Sequence, residues 1–367
     1  MDSYPYKSIV CNGRPVSIDD IINRKAPATT AFEEALFGFM RQWLSDVDEF
    51  LLTTSGSTGT PKSIVVTRGQ MIASAQLTSK ALHLKQGQTA LICLNPEYIA
   101  GKMMIVRSLV TGLTIIAVNP ASNPLRQVAQ HVDFAAMVPL QVHELLHAGS
   151  RDAFQQLSTV IIGGGAIDAQ DLTLLQDLPC RFYATYGMTE TVSHVALRQL
   201  NGDGASEYYL ALPGINFSLD ARGCLIIHWP DLGDAIVTND LVQLEDDGRF
   251  IWLGRWDNLI NSGGIKIIPE KLEATIANVL RNAGHHARFF VSSVPDARLG
   301  RKVVMVIEGE FISQNYSNLR AILKSSLQTH ETPKEYFFCM RFSETLTGKI
   351  NRIATLELAV SDHRSPD

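Results

Sequence analysis

The chain has 367 residues, of which 46% are hydrophobic and 19% are charged, with a mean hydropathy of +0.05. This composition excludes intrinsic disorder and is typical of a folded soluble protein. The 32 basic residues are outnumbered by 37 acidic ones, giving a formal charge of −5, which excludes the basic surface of a general nucleic-acid-binding protein. Since single hydrophobic cores stop growing at roughly 250–300 residues, we expect two domains.

Cysteine spacing and the first residues indicate the compartment. The five cysteines lie far apart, without the C-x₂-C spacing of zinc or redox sites: Cys11, Cys93, Cys180, Cys224 and Cys339. No basic segment followed by an apolar stretch opens the sequence, and no apolar run approaches the roughly 20 residues that span a bilayer. We therefore expect a cytoplasmic protein with reduced thiols, no membrane span and no nucleic-acid partner.

Short apolar runs alternate with segments of helical periodicity between about residues 70 and 185. The runs are Ala90–Leu94, Thr114–Val118, Phe134–Val138 and Thr159–Ile162. Continuous apolar strands joined by helices are typical of a parallel sheet that is covered on both faces. The sequence therefore predicts a large N-terminal α/β domain.

Two further patterns follow along the chain. From about residue 205, the turn signals Arg222-Gly223 and Asp247-Gly248 stand between apolar runs and predict a small antiparallel β region. Beyond Gly254, the sequence predicts a helix that starts at about Pro269 and ends at Gly284. A strand at Val303–Ile307, a second helix and a final strand near Tyr336–Met340 then complete a small α+β domain.

The segment from Thr53 to Gly59 contains five hydroxyl side chains and two glycines, and Lys62 follows it. Backbone N–H groups, hydroxyls and a lysine together suit a polyphosphate. A flexible Ser/Thr/Gly linker is one alternative. A Walker A loop is another, but Pro61 replaces its second glycine and Ile64–Thr67 predicts a strand where a Walker loop opens a helix.

This segment resembles the phosphate-binding signature of the adenylate-forming superfamily, which includes acyl-CoA synthetases and luciferases. Ser63 stands where the family usually has glycine. Later motifs match in the same order, so the resemblance covers roughly residues 50–352. It implies that the phosphates of ATP contact Thr54, Ser55, Gly56, Ser57, Thr58, Gly59 and Lys62.

Three further motifs extend the resemblance to a nucleotide and metal site. Gly163-Gly164-Gly165 follows a predicted strand, and the resemblance places Gly164 and Gly165 against the adenine and the acyl group. Tyr183–Thr191 resembles the Tyr-Gly-x-Thr-Glu motif. It implies that Glu190 binds Mg²⁺, a metal that prefers hard oxygen ligands, that Thr189 contacts phosphate, and that Tyr186 and Gly187 lie near the adenine.

The resemblance also assigns roles to residues on both sides of the predicted domain boundary. Asp240 would bind the ribose hydroxyls and Arg255 the nucleotide, although Asn239 replaces the family's glycine. Asp257 would be the hinge between a large domain, residues 1–256, and a small mobile lid, residues 257–367. Gly263 and Gly264 would line the channel for the thiol of coenzyme A.

The C-terminal motif Gly348-Lys349-Ile350-Asn351-Arg352 resembles the family's Gly-Lys-x-x-Arg. Lys349 would stabilise the charge on the α-phosphate while a carboxylate attacks it to form an acyl-adenylate. Rotation of the lid would then replace Lys349 with the glycine loop for attack by the thiol. The expected substrates are therefore ATP with Mg²⁺, a carboxylic acid and coenzyme A.

For the acyl group, two segments resemble the o-succinylbenzoate–CoA ligases of menaquinone biosynthesis: Asn95–Lys102 and Tyr186–His194. One carboxylate of that substrate is activated, and the other needs a cationic or hydroxyl partner. The candidates for that partner are Lys102, Arg107, Ser193 and His194, whereas Tyr98 is expected at the substrate as the residue in the family's aromatic position. A solvated helix residue is the alternative role for Lys102. Another aryl- or fatty-acid adenylating enzyme, loading coenzyme A or a carrier protein, shares every nucleotide motif.

A non-catalytic nucleotide-binding module is an alternative of a different class, but Glu190 and Lys349 argue against it because ATP binding alone does not require that lysine. Family members usually carry well over a hundred residues before the phosphate loop, whereas here it begins at Thr53. We therefore expect a shortened N-terminal region that leaves part of the sheet less covered, and a homodimer that buries it.

Overall fold

The computed structural model describes residues 5–53, 63–147, 149, 151–285, 287–310, 313–344 and 350–361. Its strands, in chain order, are β1 (Ser8–Cys11), β2 (Arg14–Ser17), β3 (Glu49–Thr53), β4 (Ser63–Thr67), β5 (Thr89–Ile92), β6 (Thr114–Ala117), β7 (Val132–Met137), β8 (Leu157–Ile162), β9 (Arg181–Gly187), β10 (His194–Gln199), β11 (Leu210–Ala211), β12 (Asn216–Leu219), β13 (Cys224–His228), β14 (Ile236–Leu244), β15 (Phe250–Arg255), β16 (Ile260–Ser262), β17 (Ile265–Ile267), β18 (Phe289–Asp296), β19 (Gly300–Glu308) and β20 (Glu335–Cys339). Its α-helices are α1 (Ile18–Ile22), α2 (Ala31–Trp43), α3 (Arg68–Leu82), α4 (Ile99–Thr111), α5 (Pro139–His147), α6 (Ala169–Leu175), α7 (Pro269–Asn282), α8 (Ser313–Ser326) and α9 (Arg352–Ser361).

The chain divides into two compact units. The first comprises Met1–Ser218, Ile227–Ile236 and Leu244–Phe250, and the second comprises Leu219–Ile226, Val237–Gln243 and Ile251–Asp367. The predicted boundary between residues 256 and 257 stays a prediction.

The first unit contains a sheet with the strand order β11-β10-β9-β8-β7-β5-β6-β1-β2. The six strands from β9 to β1 run parallel, whereas β10, β11 and β2 add antiparallel edges. All four predicted apolar runs are strands of this sheet, and their side chains are largely buried because helices connect them. The expected α/β fold with a mainly parallel sheet is confirmed.

Antiparallel pairing dominates the next part of the chain. The strands β12-β13-β14-β15 form a four-stranded sheet. Nearer the N-terminus, β3 and β4 form a separate antiparallel pair. The predicted turns lie between β12 and β13 and between β14 and β15. Gly223 and Gly248 have φ of +81° and +83° there, a conformation that glycine adopts without a steric cost.

The second unit contains a further sheet, with the order β17-β16-β19-β18 and with β20 parallel to β19. Helix α7 begins at Pro269, and Gly284 follows its end with φ of +77°. Its periodic apolar residues Leu272, Ile276 and Leu280 are buried against this sheet. The small α+β region is therefore confirmed, whereas the sequence analysis did not identify α9.

None of the described helices combines the length and the hydrophobicity needed to cross a membrane. The cytoplasmic location and the homodimer stay predictions.

Candidate active site

The carboxyl ends of the parallel strands bring several predicted site residues to one edge of the large sheet. Strands β7, β8 and β9 end at Met137, Ile162 and Gly187, and the N–H of Gly163 donates to the carbonyl of Met137 at 3.1 Å. The strand order reverses between β5 and β7. Open α/β sheets bind ligands outside the carboxyl ends of their strands at such a reversal.

The glycine segment after β8 lies close to β9. A Cβ atom on Gly163 would come within 2.7 Å of Thr185 Oγ1, and Gly164 has φ of +91°. Gly165 has more room, because the nearest atom to its Cβ would be Pro139 Cγ at 3.7 Å. The backbone of Gly164 and Gly165 therefore follows the sheet edge without side chains that would keep a ligand away.

The turn from β9 to β10 carries the predicted metal motif and is tightly constrained. A Cβ atom on Gly187 would lie 2.3 Å from the carbonyl oxygen of Ser193. Thr189–Thr191 forms one turn of 3₁₀ helix. Val192 follows with φ of +63°, and the Ser193 N–H donates to the Thr191 carbonyl at 2.6 Å. This is a γ-turn at a buried β-branched residue, a strained conformation of the kind found at functional sites.

Glu190 projects from this turn into a cleft of about 270 Å³. Its walls include Ile64, Val65 and Val66 of β4, Gln70, Val192 and Asp234. Both carboxylates of the cleft, those of Glu190 and Asp234, belong to exposed residues. Hard oxygen donors at the mouth of a cleft suit Mg²⁺, which keeps several of its waters. Thr189 is half-buried in the same turn.

Tyr186 belongs to a buried aromatic cluster. Its ring centroid lies 5.0 Å from that of Phe250 and 5.9 Å from that of Tyr209, in edge-to-face contacts. Phe217 contacts Phe250 at 5.1 Å. The cluster fixes β9 just before Gly187, so the ring of Tyr186 supports the turn that carries Glu190.

Arg107 is the centre of a second group of polar side chains. It is 2% exposed, and its guanidinium donates to Ser193 Oγ at 2.5 Å and to Thr78 Oγ1 at 3.2 Å. His194 Nδ1 lies 3.4 Å from the same guanidinium, and His194 Nε2 lies 3.1 Å from Thr78 Oγ1. The structure therefore brings together three of the predicted acyl-site candidates, namely Arg107, Ser193 and His194.

This group carries a positive charge at a largely buried position. Burial lowers the pKa of Arg107 to about 9, so it stays protonated near neutral pH. Burial and the neighbouring Arg107 hold the pKa of His194 well below its usual value, so the imidazole stays neutral. Within the described ranges, Arg107 forms no ion pair with a carboxylate. A buried cation without an anionic partner is costly, which favours a role in binding an anion.

The other two acyl-site candidates have different contacts. Tyr98 precedes α4 and is 40% exposed. Lys102 donates to the carbonyl of Glu97 at 2.7 Å and lies 5.8 Å above the ring of Phe39. Burial lowers the pKa of Lys102, and Glu97 partly offsets that effect. Among the residues that the structure describes, the contacts of Lys102 therefore hold the start of α4 and include no member of the Arg107 group.

Asp240 and Arg255, the predicted nucleotide ligands of the second unit, lie near each other. Asp240 is buried, and its Oδ1 accepts a hydrogen bond from Trp252 Nε1 at 3.1 Å. Arg255 Nη1 lies 3.7 Å from the same oxygen. The carboxylate is thus held in place and charge-compensated by residues of β15, a contact that the sequence analysis did not predict.

Asp257, the predicted hinge residue, is held by two neighbours. Arg255 Nη2 contacts its carboxylate at 2.6 Å, and Asn239 Nδ2 donates to its two oxygens at 3.0 and 3.3 Å. Asn239 also accepts from Arg222 Nη1 at 2.8 Å. The residue that replaces the family's glycine therefore links Arg222 to Asp257, a bridge that the sequence does not predict.

Gly263 and Gly264 form the exposed turn of the β16–β17 hairpin, with φ of +60° and +85°. Two successive positive φ values are what a type I′ turn requires. The predicted phosphate contacts, Thr54, Ser55, Gly56, Ser57, Thr58, Gly59 and Lys62, and the predicted catalytic Lys349 lie outside the described residues.

Comparison with known proteins places this arrangement in a family. The AMP-binding enzyme family matches residues 42–216. A solved structure of an acyl-CoA synthetase (AMP-forming)/AMP-acid ligase II-like protein from Dyadobacter fermentans is 41% identical and has a TM-score of 0.61. The match covers 92% of this chain and 97% of that chain.

Two more relatives are more distant. The probable 2-succinylbenzoate–CoA ligase of Mycobacterium tuberculosis is 26% identical, over 92% of this chain and 93% of its own length. The o-succinylbenzoate coenzyme A synthetase of Bacillus subtilis, solved with ATP and magnesium, is 20% identical with a TM-score of 0.68, and the match covers 83% of this chain and 69% of that chain. From the match to the Dyadobacter protein and the fold, the chain belongs to the AMP-binding enzyme family and is an adenylate-forming acid–CoA ligase.

Proposed function

We propose that this ligase activates o-succinylbenzoate, an aromatic dicarboxylate, as an acyl-adenylate and transfers it to coenzyme A, in menaquinone biosynthesis. The observation that carries this proposal is the buried guanidinium of Arg107, which has only neutral partners among the residues described. A monocarboxylic acid has one carboxylate, and that group reacts with ATP. Such a substrate therefore leaves the guanidinium without a negatively charged partner. A second carboxylate supplies the missing negative charge.

The position of the Arg107 group supports this role. Ser193 and His194 directly follow the strained Val192, within four residues of Glu190. Ser193 is half-buried, whereas Arg107 and His194 are buried. A carboxylate that approaches Ser193 therefore meets the hydroxyl and the guanidinium Nη2 at the same place, since these two atoms are 2.5 Å apart. The neutral His194 adds no second cation.

For the activation step, Glu190 and Asp234 are the cleft carboxylates that would hold Mg²⁺. The metal would neutralise phosphate charge when it is bound. The phosphate loop that we expect from Thr54 to Lys62 leads directly into β4, whose Ile64–Val66 segment lines the cleft. Asp240 and Arg255 are proposed to bind the nucleotide, Lys349 to stabilise the reacting α-phosphate, and Gly263 and Gly264 to admit the thiol of coenzyme A.

The experiment is ATP–pyrophosphate exchange with a panel of carboxylic acids. We expect exchange with o-succinylbenzoate and little with fatty or amino acids. Exchange confined to monocarboxylic acids would overturn the substrate assignment. An absence of both exchange and AMP production with every acid would instead favour a non-catalytic nucleotide-binding module.

A variant pair tests the Arg107 observation itself. Arg107→Leu should raise the KM for the dicarboxylate about 10- to 150-fold, because hydrogen bonds to a charged group contribute about 1.5–3 kcal/mol. The KM for ATP should stay unchanged. Arg68→Leu is the matched control, since Arg68 is also buried but donates to the carbonyls of Trp43 and Ser45. Equal changes in both variants would indicate a loss of stability rather than of substrate binding.

A further inference from the structure

Three side chains of the kinds that bind metal ions lie close together on helices α5 and α6. His143 and His147 are one turn apart on α5, and Asp171 lies in the first turn of α6. Their ligating atoms all lie within 4.8 Å of one another, the one such group of His, Cys, Asp or Glu in the part of the chain that the structure describes. The proposed ligase chemistry uses none of them.

The distances from the two histidines to the aspartate are close to those between ligand atoms around a metal ion. His147 Nε2 lies 2.9 Å from Asp171 Oδ1, and His143 Nδ1 lies 3.0 and 3.1 Å from the two carboxylate oxygens. Zinc binds imidazole nitrogen and carboxylate oxygen at about 2.0–2.2 Å, so ligand atoms in a tetrahedral site are roughly 3.3 Å apart. An outward movement of a few tenths of an ångström by the exposed imidazoles would bring the two histidine–aspartate distances to this spacing. The two histidine nitrogens lie within 4.8 Å of each other and would approach each other around the same ion.

Burial and charge distinguish this group from a surface ion pair. The Asp171 side chain is 4% exposed, whereas those of His143 and His147 are 51% and 33% exposed. Among the described residues, no lysine or arginine forms an ion pair with Asp171. A buried carboxylate faces two imidazoles that open to solvent, so a cation can enter from one side and leave a fourth position for water.

The ring arrangement also suits ligation. The two imidazoles lie 4.3 Å apart between centroids, tilted by 37°. Residues i and i+4 on one helix face present their side chains to the same point, which is how paired histidines on a helix hold zinc. Two nitrogen donors and one carboxylate form a ligand set suited to a divalent first-row transition metal, in contrast to the oxygen-only set that Mg²⁺ prefers.

We propose that His143, His147 and Asp171 bind one divalent transition-metal ion of the zinc type, at a site separate from the Mg²⁺ that Glu190 would bind. The ion links α5 to α6. Helix α5 directly follows β7, and α6 follows the glycine segment that ends at Gly165. The site therefore fixes the two helices that continue from the sheet edge where the nucleotide is expected.

The test is calorimetric titration of the untagged full-length protein with Zn²⁺ alone, after treatment with a chelating resin. Wild type should bind one equivalent. His143→Gln and His147→Gln should each weaken binding by about tenfold or more, and the double variant should lose it. Glutamine keeps an N–H donor for Asp171, so folding without zinc should be preserved, as circular dichroism melts would check.

His131→Gln is the matched control, because His131 is an exposed histidine near a single carboxylate, that of Asp133 at 3.9 Å. It should bind zinc as wild type does. In the cobalt-loaded protein, visible absorption should report nitrogen and oxygen ligation without thiolate bands. Zinc binding of wild-type affinity in the double variant, or no saturable binding by the wild type, would overturn the proposal. No acid substrate enters the assay, so its outcome is independent of the proposed dicarboxylate specificity.

Discussion

Gly187→Ala is predicted to destabilise the join between β9 and β10. The new Cβ would lie 2.3 Å from the Ser193 carbonyl oxygen and 2.5 Å from His194 Cα, and both are backbone atoms. Ordinary contact begins at 3.4 Å, so one of the two strands must move by about 1 Å. His194 is the register partner of Gly187 in the sheet, so this movement disturbs the pairing of β9 with β10.

The expected cost is about 3 kcal/mol, from about 2 kcal/mol of overpacking and about 1 kcal/mol for a lost hydrogen bond. This corresponds to a fall in melting temperature of about 6–12 °C, measured by circular dichroism. ATP–pyrophosphate exchange should fall as well, because Glu190 follows three residues later.

Gly69→Ala provides the matched control. A Cβ at Gly69, in the first turn of α3, meets nothing nearer than Thr67 Oγ1 at 3.8 Å. Alanine there should raise stability by about 0.5–1 kcal/mol, because glycine is the poorer helix former. If Gly187→Ala melted at the wild-type temperature and kept wild-type exchange activity, the close approach of β9 and β10 would be refuted as a constraint on the site.

Three other changes test separate parts of the molecule. Burial alone would raise the pKa of Glu33, but hydrogen bonds from Thr29, Asn12 and Arg14 lower it to about 2 from 4.5. The ionised Glu33 therefore contributes its full stabilisation above about pH 4.5, and this stabilisation is lost as the pH falls toward 2. The difference in melting temperature between wild type and Glu33→Gln should narrow over that range. A difference that stays constant would contradict this. Asn239→Ala should release Asp257 and slow thioester formation more than adenylation in single-turnover assays, whereas equal slowing of both steps would count against a hinge role. Lys349→Ala should abolish adenylation and spare thioester formation from added acyl-adenylate, and an equal loss in both steps would show that its assigned role is wrong.

The fold can be predicted from the sequence where the local pattern of apolar residues and glycines matches the burial and backbone conformation of those residues in the structure. The runs at Ala90–Leu94 and Thr159–Ile162 are almost entirely apolar because the strands that they form are buried. The turn at Asp247-Gly248 was identified because few residues other than glycine accept a positive φ at no cost. Helix α9 is not predicted, because it lies beyond the last recognisable motif, the one around Lys349.

The site was harder to predict, because its contacts join residues far apart in the chain. Arg107 and His194 were both candidates, but nothing local indicates that residues 87 positions apart share one hydrogen-bond network. The positive φ of Val192 also runs against its residue type, since β-branched side chains disfavour that conformation. Tertiary packing, rather than propensity, sets both features.

The pairing of β1 with β6 has a consequence for how the protein folds. Val10 pairs with Ile116 and Cys11 with Ala117, so this contact closes a loop of more than a hundred residues. During synthesis, β1 leaves the ribosome long before its partner and must wait for it. Strand β6 has an open edge until the β1–β2 hairpin docks, and open edges are where chains pair wrongly with one another. Late closure of this edge makes it the step at which a slow or crowded folding reaction would lose chains to aggregation.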